Sequence, residues 1–293
     1  MDFDQIKDGL SWFGEKANEA IWGVIYQAAS NFASEAFEFV VKYIVIETDP
    51  DELFQYSQYL NAMQAIALAL LLVAISWEGV KYQSGSLGEE ITLQTLIMRT
   101  GFAGVCIYFL PWSVENFFVR INNYLVNFIT SVGVDITPGD NIFAALLAPR
   151  QLSQMIIIML LIFSIALIGL SIVAGMRYIE IIILTLIAPL AAVSIVRGGE
   201  LLDTWIRETI AIVFTQALQI FLLQVLANVI GKMNSAPLEM FIPAIGLTVI
   251  MIMGPNALRK FVYNTGAGSA GVKQIGSAGR MAVYKAISSG AVK

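Results

Sequence analysis

Amide side chains recur along an otherwise apolar stretch that starts after Gly198 and Gly199 and runs to Gly231. The polar residues whose type and spacing could do chemistry there are Thr209, Gln216, Gln219, Gln224 and Asn228. At about 100° per residue, the first three fall within an arc of about 80°, Gln224 flanks the arc and Asn228 lies beyond it. An amide that faces lipid finds no hydrogen-bond partner, so this face should point into protein or water. Two uses remain open: hydrogen bonds between helices or subunits, or the lining of a wet conduit.

Charged residues near the ends of apolar runs are the second candidate for chemistry, because ion and proton carriers need such groups at membrane depth. Arg177 and Glu180 lie three residues apart and can pair on one helical face. The sequence predicts an ion pair that closes a hairpin at "MRYIE" between two spans. An ion-coupling site is the alternative.

The remaining residue types predict that the chain is not an enzyme and binds no cofactor. Histidine is absent and Cys106 is the only cysteine, which excludes zinc or haem sites built from these ligands and serine–histidine catalysis. No Walker A sequence occurs. "GAGSAG" at 266–271 has the glycine spacing of a dinucleotide-binding loop but lacks the strand and helix that such a loop needs.

The elements that position these residues are predicted from composition and hydropathy. The chain has 293 residues, of which 57% are hydrophobic and 13% charged, and soluble domains carry about 25% charged residues. Several apolar runs reach the length of about 20 residues that crosses a bilayer. We therefore predict an all-α, polytopic transmembrane helical bundle with about five to six spans. The candidate spans lie at about 60–80, 94–112, 152–175, 179–196, 206–230 and 238–254.

Three regions are expected. Residues 1–58 are acidic, and their apolar residues recur at helical spacing, which predicts amphipathic amino-terminal helices. Residues 59–258 form the transmembrane domain, with a less apolar central loop at 113–150. The tail at 259–293 is basic and rich in Gly, Ala and Ser.

Lysine and arginine residues tend to stay on the cytoplasmic side of a membrane. The basic tail is therefore expected to be cytoplasmic in a multi-pass protein of the cell membrane. With six spans the amino end would be cytoplasmic too.

The stretch 187–231 resembles the TrbL-type polytopic inner-membrane subunits of conjugative type IV secretion systems. It has a span with Pro189, a glycine turn, a helix start and a span with glutamines; the helix start carries Trp205, Arg207 and Glu208. The resemblance implies that Trp205 anchors the helix at the membrane interface. It also implies that Arg207 and Glu208 set the start of the helix and contact neighbouring subunits.

The resemblance further implies a membrane-embedded channel or scaffold subunit without catalytic activity of its own, which takes part in conjugative DNA or protein transfer. Expected partners are further copies of the chain, other membrane subunits and ATPases of the machine, and the lipid bilayer. Single-stranded DNA or a protein substrate would pass through this machine. Family members generally have the amino end outside, which conflicts with six spans. The alternatives are a secondary transporter or small-solute channel, and a purely structural or lysis protein.

Overall fold

Helix dominates the computed structural model, which describes residues 3–44, 56–84, 93–132, 154–231 and 237–265. No strand occurs in those ranges. The helices are α1 (Phe3–Ile44), α2 (Ser57–Gln83), α3 (Leu93–Ser113), a π-helical segment (Val114–Val119), α4 (Arg120–Val132), α5 (Gln154–Val193), a 3₁₀ turn (Ser194–Arg197), α6 (Glu200–Gly231) and α7 (Pro237–Thr265).

Five of the described helical stretches are long and apolar enough to cross a membrane. They are Ser57–Gln83, Leu93–Val132, Gln154–Arg197, Glu200–Gly231 and Glu239–Asn264. A bilayer core offers the backbone no hydrogen-bond partner, so helices satisfy their own amide groups there. The prediction of an all-α polytopic bundle is confirmed.

The hairpin predicted at "MRYIE" is wrong, because α5 continues without a turn from Gln154 to Val193. Two predicted spans, 152–175 and 179–196, are therefore parts of one helix. Polarity alone suggested the turn, but Met, Arg, Tyr, Ile and Glu are all compatible with a helix, and the segment has no proline to end one. The chain does turn at Gly198 and Gly199, whose φ angles of 119° and 84° suit residues without a side chain.

The predicted central loop at 113–150 is partly helical. The π-helical segment and α4 extend from Val114 to Val132, and residues 133–150 lie outside the described residues. Two other boundaries also differ from the prediction. The described residues 3–44 of the amino-terminal region form one continuous helix, α1, and α7 continues past the predicted end of the last span to Thr265. Most of the basic tail and "GAGSAG" lie outside the described residues.

The chain divides into two compact units. The first comprises Met1–Ile46, Val126–Gly175 and Leu218–Met253. One face of α1, from Tyr26 to Ile44, packs there with apolar residues of α5, α6 and α7. Phe163 and Phe241 meet edge to face in this core, with ring centroids 6.3 Å apart.

The second unit comprises Glu47–Leu125, Met176–Ala217 and Gly254–Lys293. Its core joins α2 and α3 to the second part of α5 and the first part of α6, and it includes Ile107, Ile181 and Trp205. Small residues such as Ala103, Ala188 and Ala192 are fully buried in this core, and small side chains let membrane helices approach closely. The unit thereby holds the start of α6 among three other helices.

Candidate functional site on the polar face of helix α6

The polar face of α6 is buried along most of its length. Thr209, Gln216 and Gln219 are fully buried and Gln224 is nearly so, whereas Asn228 is exposed. More of α6 is buried than of any other candidate span in the described residues. The structure thus places four of the five predicted polar residues inside protein.

In the second unit, the Gln216 amide pairs with an amide from another helix. Asn122 Nδ2 on α4 donates to Gln216 Oε1 at 2.8 Å, and both side chains are buried. A hydrogen bond between buried amides holds two helices in one register, because sliding either helix would break it. Asn122 was not among the predicted site residues, because it lies in the stretch expected to be a loop.

In the first unit, the polar face has fewer hydrogen bonds. Gln219 Nε2 lies 3.4 Å from the Met251 carbonyl oxygen on α7, and Asn228 Nδ2 donates to the Gln224 carbonyl oxygen within α6. Within the described part of the chain, Gln219 Oε1 and both amide atoms of Gln224 have no hydrogen-bond partner. A buried polar atom left without a partner costs about 1–3 kcal/mol. This end of α6 therefore retains hydrogen-bonding capacity.

Thr209 satisfies its hydroxyl locally. Its Oγ1 donates to the Trp205 carbonyl oxygen at 2.8 Å, and the neighbouring Thr215 does the same with Ala211 at 2.7 Å. Such bonds to the preceding turn leave a hydroxyl with little capacity for a distant group. The amides, rather than the threonines, carry the polar character of the face.

Trp205 lies inside the second unit. Its side chain is 3% exposed, and Nε1 donates to the Leu184 carbonyl oxygen on α5 at 2.9 Å. The indole ties the start of α6 to α5 across the Gly198–Gly199 turn. That Trp205 anchors the helix at the membrane interface stays a prediction.

The carboxylate of Glu208 takes part in an ionic cluster. Arg259 on α7 donates through Nε to Glu208 at 2.9 Å and lies 3.3 Å from Glu180 on α5 through its terminal nitrogen. The Tyr263 hydroxyl also donates to Glu208, at 2.9 Å. Arg259 therefore connects three helices of the second unit.

Arg207 and Arg177 each lie beside a residue close to them in the chain. Arg207 pairs with Asp203 one turn earlier at 2.7 Å. Arg177 is buried, and its guanidinium lies 5.3 Å from the ring centroid of Tyr178. The structure brings Glu180 to Arg259, as described above, and not to Arg177.

Glu78 is a buried carboxylate that sequence reasoning did not single out. It accepts from Lys81 at 3.1 Å, and Arg197 Nε lies 3.7 Å away. Its side chain is only 7% exposed, whereas that of Arg197 is 60% exposed. A glutamate followed three residues later by lysine at the end of an apolar run is the signal that could have indicated this pair.

Comparison with protein families matches residues 16–288 to the family described as conjugal transfer protein TrbL. Neither the curated proteins nor the solved structures yield a significant match. The family match confirms the resemblance seen in the stretch from 187 to 231. Because it covers nearly the whole sequence, the chain belongs to the TrbL family of conjugal transfer proteins.

Proposed function

We propose that this multi-pass membrane protein is a channel or scaffold subunit of its conjugal transfer machine and has no catalytic activity of its own. Membership of the TrbL family makes the chain a component of conjugal transfer, a type IV secretion process. The observation that carries the finer proposal is the buried amide face of α6. A helix with such a face belongs inside a helical assembly, because lipid cannot satisfy its amides.

The amide face supports a role in assembly more directly than a role in ion coupling. Gln216 is bonded to Asn122 within one chain, which is the use of an amide as a link between helices. A proton- or sodium-driven carrier needs a titratable group deep in the membrane. Among the described residues the buried carboxylate is Glu78, which lies in the last turns of α2 and is already paired.

We expect the subunit to assemble with further copies of itself. The unpartnered amide atoms of Gln219 and Gln224 could bond across such an interface. Large apolar side chains are also exposed along the spans, among them Leu72, Ile97 and Ile165, and they require lipid or neighbouring helices around them. Separate ATPases would drive passage of single-stranded DNA or protein.

We place the basic tail on the cytoplasmic side and the acidic amino end on the opposite side. If each of the five candidate spans in the described residues crosses once, the two ends lie on different sides of the membrane. The tail beyond Thr265 contains Lys273, Arg280, Lys285 and Lys293 and no acidic residue, which favours retention in the cytoplasm. This orientation would agree with the one expected from the family resemblance.

Replacing both Gln216 and Gln219 with leucine tests the proposal in donor cells that carry the complete transfer machine. The double variant Gln216→Leu/Gln219→Leu removes two of the three buried amides of this face and leaves the apolar length of α6 intact. We expect normal membrane insertion, weaker crosslinking between copies, and transfer reduced by about tenfold or more. A tenfold reduction in transfer corresponds to a free-energy difference of about 1.4 kcal/mol.

Asn228→Leu is the matched control, because Asn228 is an exposed amide of the same helix, and its transfer should stay near wild type. Wild-type transfer and wild-type crosslinking in the double variant would contradict the proposal. A chain that stays monomeric in native membranes, without co-purifying ATPases, would instead favour a solute transporter.

A further inference from the structure

A groove in the second unit lies where α2 faces the turn between α5 and α6. It encloses a cavity of about 480 Å³, which falls within the range of about 300–1,000 Å³ typical of small-molecule sites. Its apolar wall consists of Leu70, Val73, Ala74, Leu190, Val193 and Leu201. Such a wall fits a hydrocarbon chain.

The polar end of the groove carries two opposite charges. Arg197 and Glu200 both line it, and within the described residues they do not pair with each other. Arg197 contacts Glu78 only through Nε and stays 60% exposed, and Glu200 is exposed in the first turn of α6. A ligand headgroup with a negative and a positive group would complement both charges.

Neighbouring residues indicate that this end lies at the level of lipid headgroups. Trp77 on α2 is about half exposed, and the Lys81 ammonium lies 5.8 Å from the centroid of the Trp77 ring. Exposed tryptophan and lysine at the end of a span are typical of the membrane–water interface. Glu78 joins Lys81 to Arg197, so the charged end of the groove lies next to these residues.

We propose that this groove binds a zwitterionic phospholipid with a primary ammonium group, of the phosphatidylethanolamine type. The phosphate would lie against the Arg197 guanidinium, which matches phosphate oxygens in shape and charge. The ammonium would donate hydrogen bonds to the Glu200 carboxylate. One acyl chain would occupy the apolar wall.

The charges favour this lipid over the other common classes. Phosphatidylglycerol would place its hydroxyls, and no positive group, beside Glu200, and the buried carboxylate of Glu78 already offsets part of the basic charge nearby. Phosphatidylcholine carries a quaternary ammonium that has no hydrogen to donate. Selectivity for the primary ammonium therefore depends on Glu200.

The test uses the full chain, purified in lipid-free detergent and mixed with equal amounts of phosphatidylethanolamine, phosphatidylcholine and phosphatidylglycerol that have identical acyl chains. Native mass spectrometry then counts the retained lipid. We expect about tenfold greater retention of phosphatidylethanolamine than of either competitor. Glu200→Gln should remove the preference over phosphatidylcholine, and Arg197→Gln should weaken retention of all three.

Val73→Trp fills the groove without changing any charge and should reduce retention of every lipid. Arg120→Gln removes an exposed charge of the same unit away from the groove and should behave as wild type. Equal retention of the three lipids, or an unchanged preference in Glu200→Gln, would overturn the proposal. Glu200 has no ion pair within the described residues, so its variant remains informative even if Arg197→Gln destabilises the protein.

Discussion

The hydrogen bond between Asn122 and Gln216 shows at the residue scale how a buried amide can specify a helix pair. Both side chains are enclosed, and the donor and acceptor lie 2.8 Å apart. Removing either amide breaks this bond between two buried side chains, which costs about 1–3 kcal/mol. Removing both leaves two apolar side chains of similar size, and this change costs less than the two single losses together.

We therefore expect non-additive stabilities in a double-mutant cycle. Asn122→Leu and Gln216→Leu should each lower the free energy of unfolding by about 1–3 kcal/mol. The double variant should recover part of that loss, with a coupling energy of about 0.5–3 kcal/mol. Unfolding in detergent, followed by tryptophan fluorescence, measures these values. Strictly additive losses would show that the bond does not form.

Helix α5 is the element whose form the sequence least anticipated. Forty residues at about 1.5 Å each make it about 60 Å long, whereas the hydrocarbon core of a bilayer measures about 30 Å. Part of this apolar helix therefore extends beyond the hydrocarbon core. Exposed apolar side chains on such a part are suited to contacts with other subunits, in line with the proposed scaffold role.

Proline at Ile179 distinguishes a continuous helix from the turn that the sequence suggested. Ile179 is 55% exposed, so its replacement removes little packing. Ile179→Pro should lower the free energy of unfolding by about 3 kcal/mol or more, because proline removes a helical hydrogen bond and clashes with the preceding turn.

Ile179→Ala keeps the helical backbone and serves as the matched control. Thermal unfolding monitored by circular dichroism compares the two variants with wild type. A proline variant as stable as the alanine variant would indicate a turn at this position.

At the scale of the whole molecule, the number of crossings decides where the ends lie. The described residues contain five candidate spans, one fewer than the six that the sequence suggested, because two predicted spans belong to α5. An odd number of crossings would separate the amino end from the basic tail. The proposed cytoplasmic side of the tail follows from the distribution of lysine and arginine.

Single cysteines test this orientation in a Cys106→Ser background. A membrane-impermeant maleimide applied to intact cells should label Asn18→Cys, because α1 would lie outside. It should label Ser288→Cys only after the membrane is permeabilised. If both positions need permeabilisation, the number of crossings is even, which would contradict the proposed orientation.

Periodicity and hydropathy by themselves predicted the helical class, the candidate membrane spans and the buried polar face of α6, and the residues of the stretch 187–231 carried the family resemblance. These properties follow from residue types at fixed spacing, and a helix converts spacing into a face without reference to the rest of the chain. The positions of Gln216 and Gln219 on that face are such a case. The exclusion of histidine and cysteine chemistry also follows from the residue types alone.

Only the tertiary structure decided which side chains contact each other. Asn122 opposite Gln216, Arg259 between Glu180 and Glu208, and the indole of Trp205 on the Leu184 carbonyl all join residues far apart in the chain. A face predicted from spacing does not say what lies across from it, because that depends on how other helices pack. The continuity of α5 also depended on the packing of other helices. The polar residues at its middle are compatible with a turn or a helix, and the packing around them selects the helix.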